Sequence, residues 1–197
     1  MKNDGHYFCR AGGNRPDGLN EPVTFIPFVG SKYENSIYGL KLLVLGLSHY
    51  GDADDNYPDF TKDVIAENAY TTGNRFFTIL TNVLRLSRES ITDDQRKITW
   101  ENIAFYNYIQ QIVGEKGRIS PTKEMWDSAR EPFLSVIKQL QPNVILVLGT
   151  ELWDHLPEVD GVEWCWIRHP SSSNFSYDQA FNNLKKSIGM ENIVYLP

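Results

Sequence analysis

Four short runs along the chain are apolar with no polar alternation. They are Leu42-Leu43-Val44-Leu45-Gly46 after Lys41, Ile103-Ala104-Phe105-Tyr106, Val144-Ile145-Leu146-Val147-Leu148, and the less pure stretch from Val162 to Ile167. A strand solvated on one face alternates in polarity, whereas a strand covered on both faces does not. Each run therefore predicts a strand inside a parallel sheet. Between the runs, apolar positions recur at steps of three and four. Phe76, Ile79, Leu80, Val83 and Leu84 share one helical face, as do Trp126, Ala129, Phe133, Val136, Ile137 and Leu140. The second of these helices is expected to open at Ser120-Pro121, a cap followed by proline at the first helical position, and to stop before Pro142. A last helix carries Tyr177, Ala180, Phe181, Leu184 and Ile188 and closes at Gly189.

Strands alternating with helices of this length imply βαβ units. The expected fold is α/β, three layers, with a central, mainly parallel four-stranded sheet between helices. Residues 1–39 are rich in Gly, Asn and Pro and lack periodicity. They predict an irregular leading segment packed on an α/β domain of residues 40–197, anchored by Phe25-Ile26-Pro27-Phe28-Val29. Ligands of such sheets bind beyond the carboxyl ends of the strands. That rule selects the loops Leu47–Asp55, Asn107–Gln111, Gly149–Glu151 and Arg168–Phe175.

Composition narrows the options. The 197 residues are 41% hydrophobic and 22% charged, which suits one globular domain. Nineteen basic against 25 acidic residues leave a net charge of −6, so a uniformly basic nucleic-acid coat is excluded while a local basic patch is not. No apolar run approaches the roughly 20 residues of a membrane helix, and the N-terminus lacks a signal peptide's apolar segment, so a cytoplasmic protein is expected. Cys9 and Cys165 are the only cysteines. They are too few for a four-cysteine zinc or iron–sulfur site, and without a secretory signal they are read as unpaired thiols.

The selected loops carry the chemistry. Arg168-His169-Pro170-Ser171-Ser172-Ser173-Asn174-Phe175 follows directly on a buried strand. Pro170 restricts the backbone of His169, and three serines ahead of a helix offer hydroxyls and N–H groups to an anion. In the first loop, Gly46 allows close backbone approach, Ser48, His49 and Tyr50 are polar, and Asp52, Asp54 and Asp55 include a possible general base. The spacing of these acids with His49 fits no defined metal loop. Asn107 ends the second run, and its donor and acceptor side by side suit the Watson–Crick edge of a base.

In this order the features resemble the uracil-DNA glycosylase superfamily over roughly Leu40 to Ile188. Leu42 to Gly46 looks like the family's first motif. Thr72-Gly73-Asn74-Arg75-Phe76-Phe77 is similar to the Asn-Arg-Phe-Trp segment of its mismatch-specific branch. Ile103 to Asn107 resembles the strand whose terminal Asn recognises the base. Pro121, Glu124, Phe133, Leu134, Gln141-Pro142, Val147-Leu148-Gly149 and His169-Pro170-Ser171 match the long helix, the third strand and the His-Pro-Ser motif. The resemblance implies binding of a flipped-out uracil or modified base in single- or double-stranded DNA, and hydrolysis of its N-glycosidic bond as in base-excision repair. It implies a catalytic role for His169, with Asp52 and then Ser48 as the candidates for the water-activating role, and base contacts from Gly46, Leu47, Tyr50, Phe60 and Asn107. Phe60 or Tyr70 would stack on the base. Ser171 and Ser172 would grip phosphates, and Phe175 would serve as a wedge in the duplex, its alternative being an anchor for the last helix. No cofactor or metal is called for. The match departs where it matters for catalysis. Leu47 and Ser48 stand where the family's branches carry Asp, Glu or Asn to position water, and Asp52 is the nearest carboxylate.

Two other classes compete. A binding module would hold a nucleobase, nucleotide or nucleic-acid end without cutting it, as the acidic balance and the missing carboxylate favour. A hydrolase using Ser48 or Ser171 with His169 and an Asp would need a nucleophile, base and orienting acid in contact, and no Gly-x-Ser-x-Gly elbow is present. A dinucleotide fold and a P-loop are excluded by the lack of their glycine fingerprints.

Overall fold

The computed structural model describes residues 23–117 and 119–189. Residues 1–22, with Cys9 and most of the leading segment, lie outside that range. Among the described residues, no helix is long and apolar enough to cross a membrane.

The fold is α/β, with strands β1 (Phe28–Val29), β2 (Leu42–Gly46), β3 (Ala104–Asn107), β4 (Val144–Leu148) and β5 (Glu163–Ile167). Their order across the sheet is β1-β3-β2-β4-β5. The pairs β3/β2, β2/β4 and β4/β5 are parallel, and β1 runs antiparallel to β3. The sheet is thus five-stranded and mixed, which corrects the expectation of four mainly parallel strands. The added strand has two residues directly after Pro27, too few to show a period, and its place is set by a partner about 75 residues away. It shields the edge of β3, a short strand being one of the ways proteins blunt a sheet edge.

The helices are α1 (Phe60–Asn68), α2 (Arg75–Arg85), α3 (Asp93–Glu101), α4 (Lys123–Leu140), α5 (Thr150–Trp153) and α6 (Tyr177–Ile188). Strand side chains alternate between two layers. Leu42, Val44, Leu146 and Leu148 face a core built with Ile65 of α1, Leu80 and Val83 of α2, Trp100 of α3 and Leu184 of α6. Leu43, Leu45, Ile145 and Val147 face Ala129, Phe133 and Val136 of α4, Leu152 of α5, and Val23, Ile26 and Tyr33 of the leading segment. Every residue of β2, β3 and β4 is buried, which explains their unbroken apolar runs.

Helix ends follow side-chain chemistry. Asn74 caps α2 by accepting from the N–H groups of Phe76 and Phe77. Thr92 and Gln95 form a reciprocal capping box on α3. α4 begins later than expected: Thr122, not Ser120, accepts from the Met125 N–H. The helix then runs through Pro132 and ends at Gln141 in the left-handed region (φ 47°) ahead of Pro142. The thiol of Cys165 is free and buried, and burial pushes its pKa up to about 11.

Candidate functional site

The carboxyl ends of β2, β3, β4 and β5 open onto one cavity of about 680 Å³. Register places its central feature. Gly46 pairs with Asn107 across the β2/β3 ladder. A Cβ at Gly46 would lie 2.2 Å from Asn107 Oδ1 and 3.2 Å from the Phe105 ring. Only hydrogen at position 46 leaves room for this carboxamide. Asn107 is 5% exposed, and its carboxamide has no hydrogen-bond partner among the described residues, so its donor and acceptor are available to a ligand. The Asn107 backbone carbonyl accepts from Gln110 Nε2 at 2.8 Å. Gln110 Oε1 in turn accepts from the N–H groups of Thr24 and Phe25. The leading segment therefore braces the end of β3.

His169 lines the same cavity from the loop after β5. The N–H of Ser171 donates to its Nδ1 at 3.2 Å. A nitrogen that accepts carries no proton, so the neutral ring bears its hydrogen on Nε2. Burial also lowers the pKa of His169, favouring the neutral form. Phe76 stacks on the imidazole at 5.3 Å between centroids and 29° between planes. A Cβ at Gly149 (φ 108°) would lie 3.4 Å from His169 Cβ, so the turn after β4 abuts this histidine closely. The result is a held imidazole with Nε2–H as its free donor. No carboxylate bonds to it among the described residues, so the orienting acid of a serine-hydrolase triad is missing there.

The loop after β2 divides. Leu47, Ser48 and Tyr50 lie in the cavity wall, and Ser48 Oγ is buried with no partner. His49 also reaches the wall, but its Nε2 lies 2.8 Å from Thr61 Oγ1, and edge contacts with Phe25 and Phe60 box in its ring. Burial drops its pKa to about 4. Asp52 is not part of the wall. It is exposed in a turn where its N–H donates to Asp55 Oδ2. Among the described residues, no group of three His, Cys, Asp or Glu side chains could hold a metal ion.

Of the residues singled out in the sequence, the cavity gathers Gly46, Leu47, Ser48, Tyr50, Asn107, His169, Ser171 and Ser172. Others fall elsewhere. Asp52 stays on the acidic turn. Phe60 sits behind His49 at 4.8 Å between centroids, walled off from the cavity. Phe175 packs on the helical core and edge-on to Tyr177. With Ser172, Ser173 and Arg75 it lines a neighbouring open cleft of about 460 Å³. Tyr70 packs against the core as well. The cavity's phenylalanine rings are instead Phe76, Phe77 and Phe105. The signal for the first two was present in Asn74-Arg75-Phe76-Phe77, where two aromatics fall in the first turn after a helix cap. Glu151 also reaches the wall, from the first turn of α5. No family model matches the chain, and no curated protein matches it in sequence.

Proposed function

We propose that this cavity takes a single nucleobase extruded from DNA, as in the uracil-DNA glycosylase superfamily that the sequence resembles, and releases it by hydrolysis of the N-glycosidic bond. The observation that carries the reading is the pairing, in one cavity, of an unpartnered Asn107 carboxamide with a neutral His169 whose Nε2–H is free. The three-layer architecture and the position of the cavity at the strand ends support it.

Each side chain then has a task. Asn107 pairs with the edge of the base, and Phe76, Phe77 and Phe105 supply apolar faces against its ring. Tyr50, at the exposed rim, limits the size of a substituent on a pyrimidine. As the bond to the sugar breaks, positive charge spreads over the sugar ring and negative charge develops on the base, chiefly on a carbonyl oxygen. His169 Nε2–H donates to that oxygen. In a site with little water, such a donor contributes on the order of 10²–10³ in rate. Ser171 and Ser172 present hydroxyls to the flanking phosphates, and Arg75 in the adjoining cleft adds a cation to the same strand. No step requires a cofactor.

A non-catalytic nucleobase-binding module is the second reading. One observation favours it: the loop after β2 brings a hydroxyl into the cavity but no carboxylate.

The test is to incubate the protein with single- and double-stranded oligonucleotides carrying uracil, hypoxanthine or other altered bases. Free base and alkali-labile abasic sites are scored alongside binding at rising salt. Base release abolished by His169→Ala supports the glycosylase reading. Salt-sensitive binding without release selects the module. Neither release nor binding on any oligonucleotide would refute both.

A further inference from the structure

We propose that Glu151 is the general base that activates the attacking water, supplied from the turn after β4 rather than from the loop after β2. The inference rests on the base-release reading and fills the one role which that reading leaves open.

Glu151 is the sole carboxylate among the described residues of the cavity wall. Its side chain has no hydrogen bond or ion pair among the described residues. Its own backbone carbonyl is engaged by His155 Nδ1 at 2.8 Å, which fixes the turn that carries it. Gly149, two residues earlier, is the point where that turn presses against His169. The group that stabilises the departing base and the only wall carboxylate therefore stand on adjoining loops. Ser48 belongs to the same wall, and its Oγ is buried without a partner beneath the surface. A strand-binding role does not explain Glu151, because a carboxylate beside a cavity mouth repels DNA phosphates.

The step balances as a hydrolysis. The water oxygen attacks C1′ of the sugar and forms the new C–O bond. The C1′–N bond breaks and its electron pair leaves with the base, stabilised by His169 Nε2–H. The water's proton passes to the Glu151 carboxylate and from there to solvent. The products are the free base and an abasic sugar.

The test compares wild type, Glu151→Gln and Glu151→Asp on an oligonucleotide from which wild type releases base, in single turnover across pH. Binding of a cleavage-resistant 2′-fluoro analogue is measured in parallel. Glu151 is exposed, so neither variant threatens the fold. The expected result for Glu151→Gln is a loss of about 10²–10⁴-fold in release rate. Analogue affinity stays within about threefold. Glu151→Asp retains part of the rate. Release by Glu151→Gln at the wild-type rate, or an affinity loss that accounts for the rate loss, overturns the proposal. In either case an inactive His169→Ala would leave the base-release reading standing. A wild type that binds the analogue and releases no base overturns this proposal and selects the binding module. A wild type that does neither refutes the underlying reading as well.

Discussion

Two histidines line one cavity, and they are built for opposite ends. His49 spends Nε2 on Thr61, and its ring edges meet Phe25 and Phe60. His169 receives a backbone N–H at Nδ1 and keeps Nε2–H for the cavity. Burial lowers the pKa of both, so that perturbation does not separate a packing residue from a working one. The free nitrogen does. A buried polar atom whose bonds are already made is part of the scaffold. One whose remaining donor faces open volume is available for chemistry.

The largest test of that contrast is substitution at both positions. His169→Ala is expected to slow base release by about 10²–10³ with little change in thermal midpoint. His49→Ala is expected to lower stability by about 2–4 kcal/mol, through the cavity it leaves and the stranded Thr61 hydroxyl. Single-turnover assays paired with denaturant melts read both. Equal stability losses with equal rate losses would erase the distinction.

The second test uses pH. His49 titrates near 4 when folded and near 6.5 when unfolded. Between these values the unfolded chain binds more protons, so stability rises with pH. The contribution is complete above about pH 6.5 and is lost as pH falls toward 4. A shift of this size corresponds to something on the order of 3 kcal/mol. Urea melts at pH 5 and 7.5 are expected to show wild type less stable at the lower pH, and His49→Gln to flatten much of that slope. His169 adds a contribution of the same sign.

Smaller effects sharpen the picture from the scaffold side. Gly46→Ala pushes a methyl into Asn107 Oδ1. It is expected to cost about 1–3 kcal/mol in stability and to weaken base binding, measured by titration with an oligonucleotide. Asn74→Ala removes the cap that starts α2 beneath Phe76, the ring stacked on His169. A loss of about 1 kcal/mol is expected in thermal or denaturant melts.

The sequence was most legible where one force decides the outcome. The runs at Leu42, Ile103 and Val144 are apolar because both sheet faces are covered, and the rule that ligands sit beyond strand ends led to Asn107 and His169. It was least legible where distant segments decide. Nothing local reveals that Phe28 pairs with Phe105. Phe60 and Phe76 are both aromatics near a helix start. Only packing puts the first behind His49 and the second against His169. Asp52 shares a loop with Ser48, yet the turn at Gly51 to Asp55 folds it outward to solvent. Pro132 would have argued against a continuous α4, and the buried face of that helix outweighs it. The box at Thr92 and Gln95 was readable and marks α3, whose apolar face is too narrow to announce itself.

The Gln110 amide ties Asn107 to the backbone of Phe25, 85 residues before Gln110 in sequence. The β2/β4 ladder, which joins Leu42 to Val144, closes a longer loop still, but a buried sheet repays that closure, whereas here two N–H groups meet one side-chain oxygen. The sheet can assemble on its own buried ladders, while the final shape of the pocket waits for the leading segment to dock. In pulse-labelled exchange during refolding, the amides of Thr24 and Phe25 would gain protection after those of β2 and β4, and competence to hold a base would arrive with them rather than with the core.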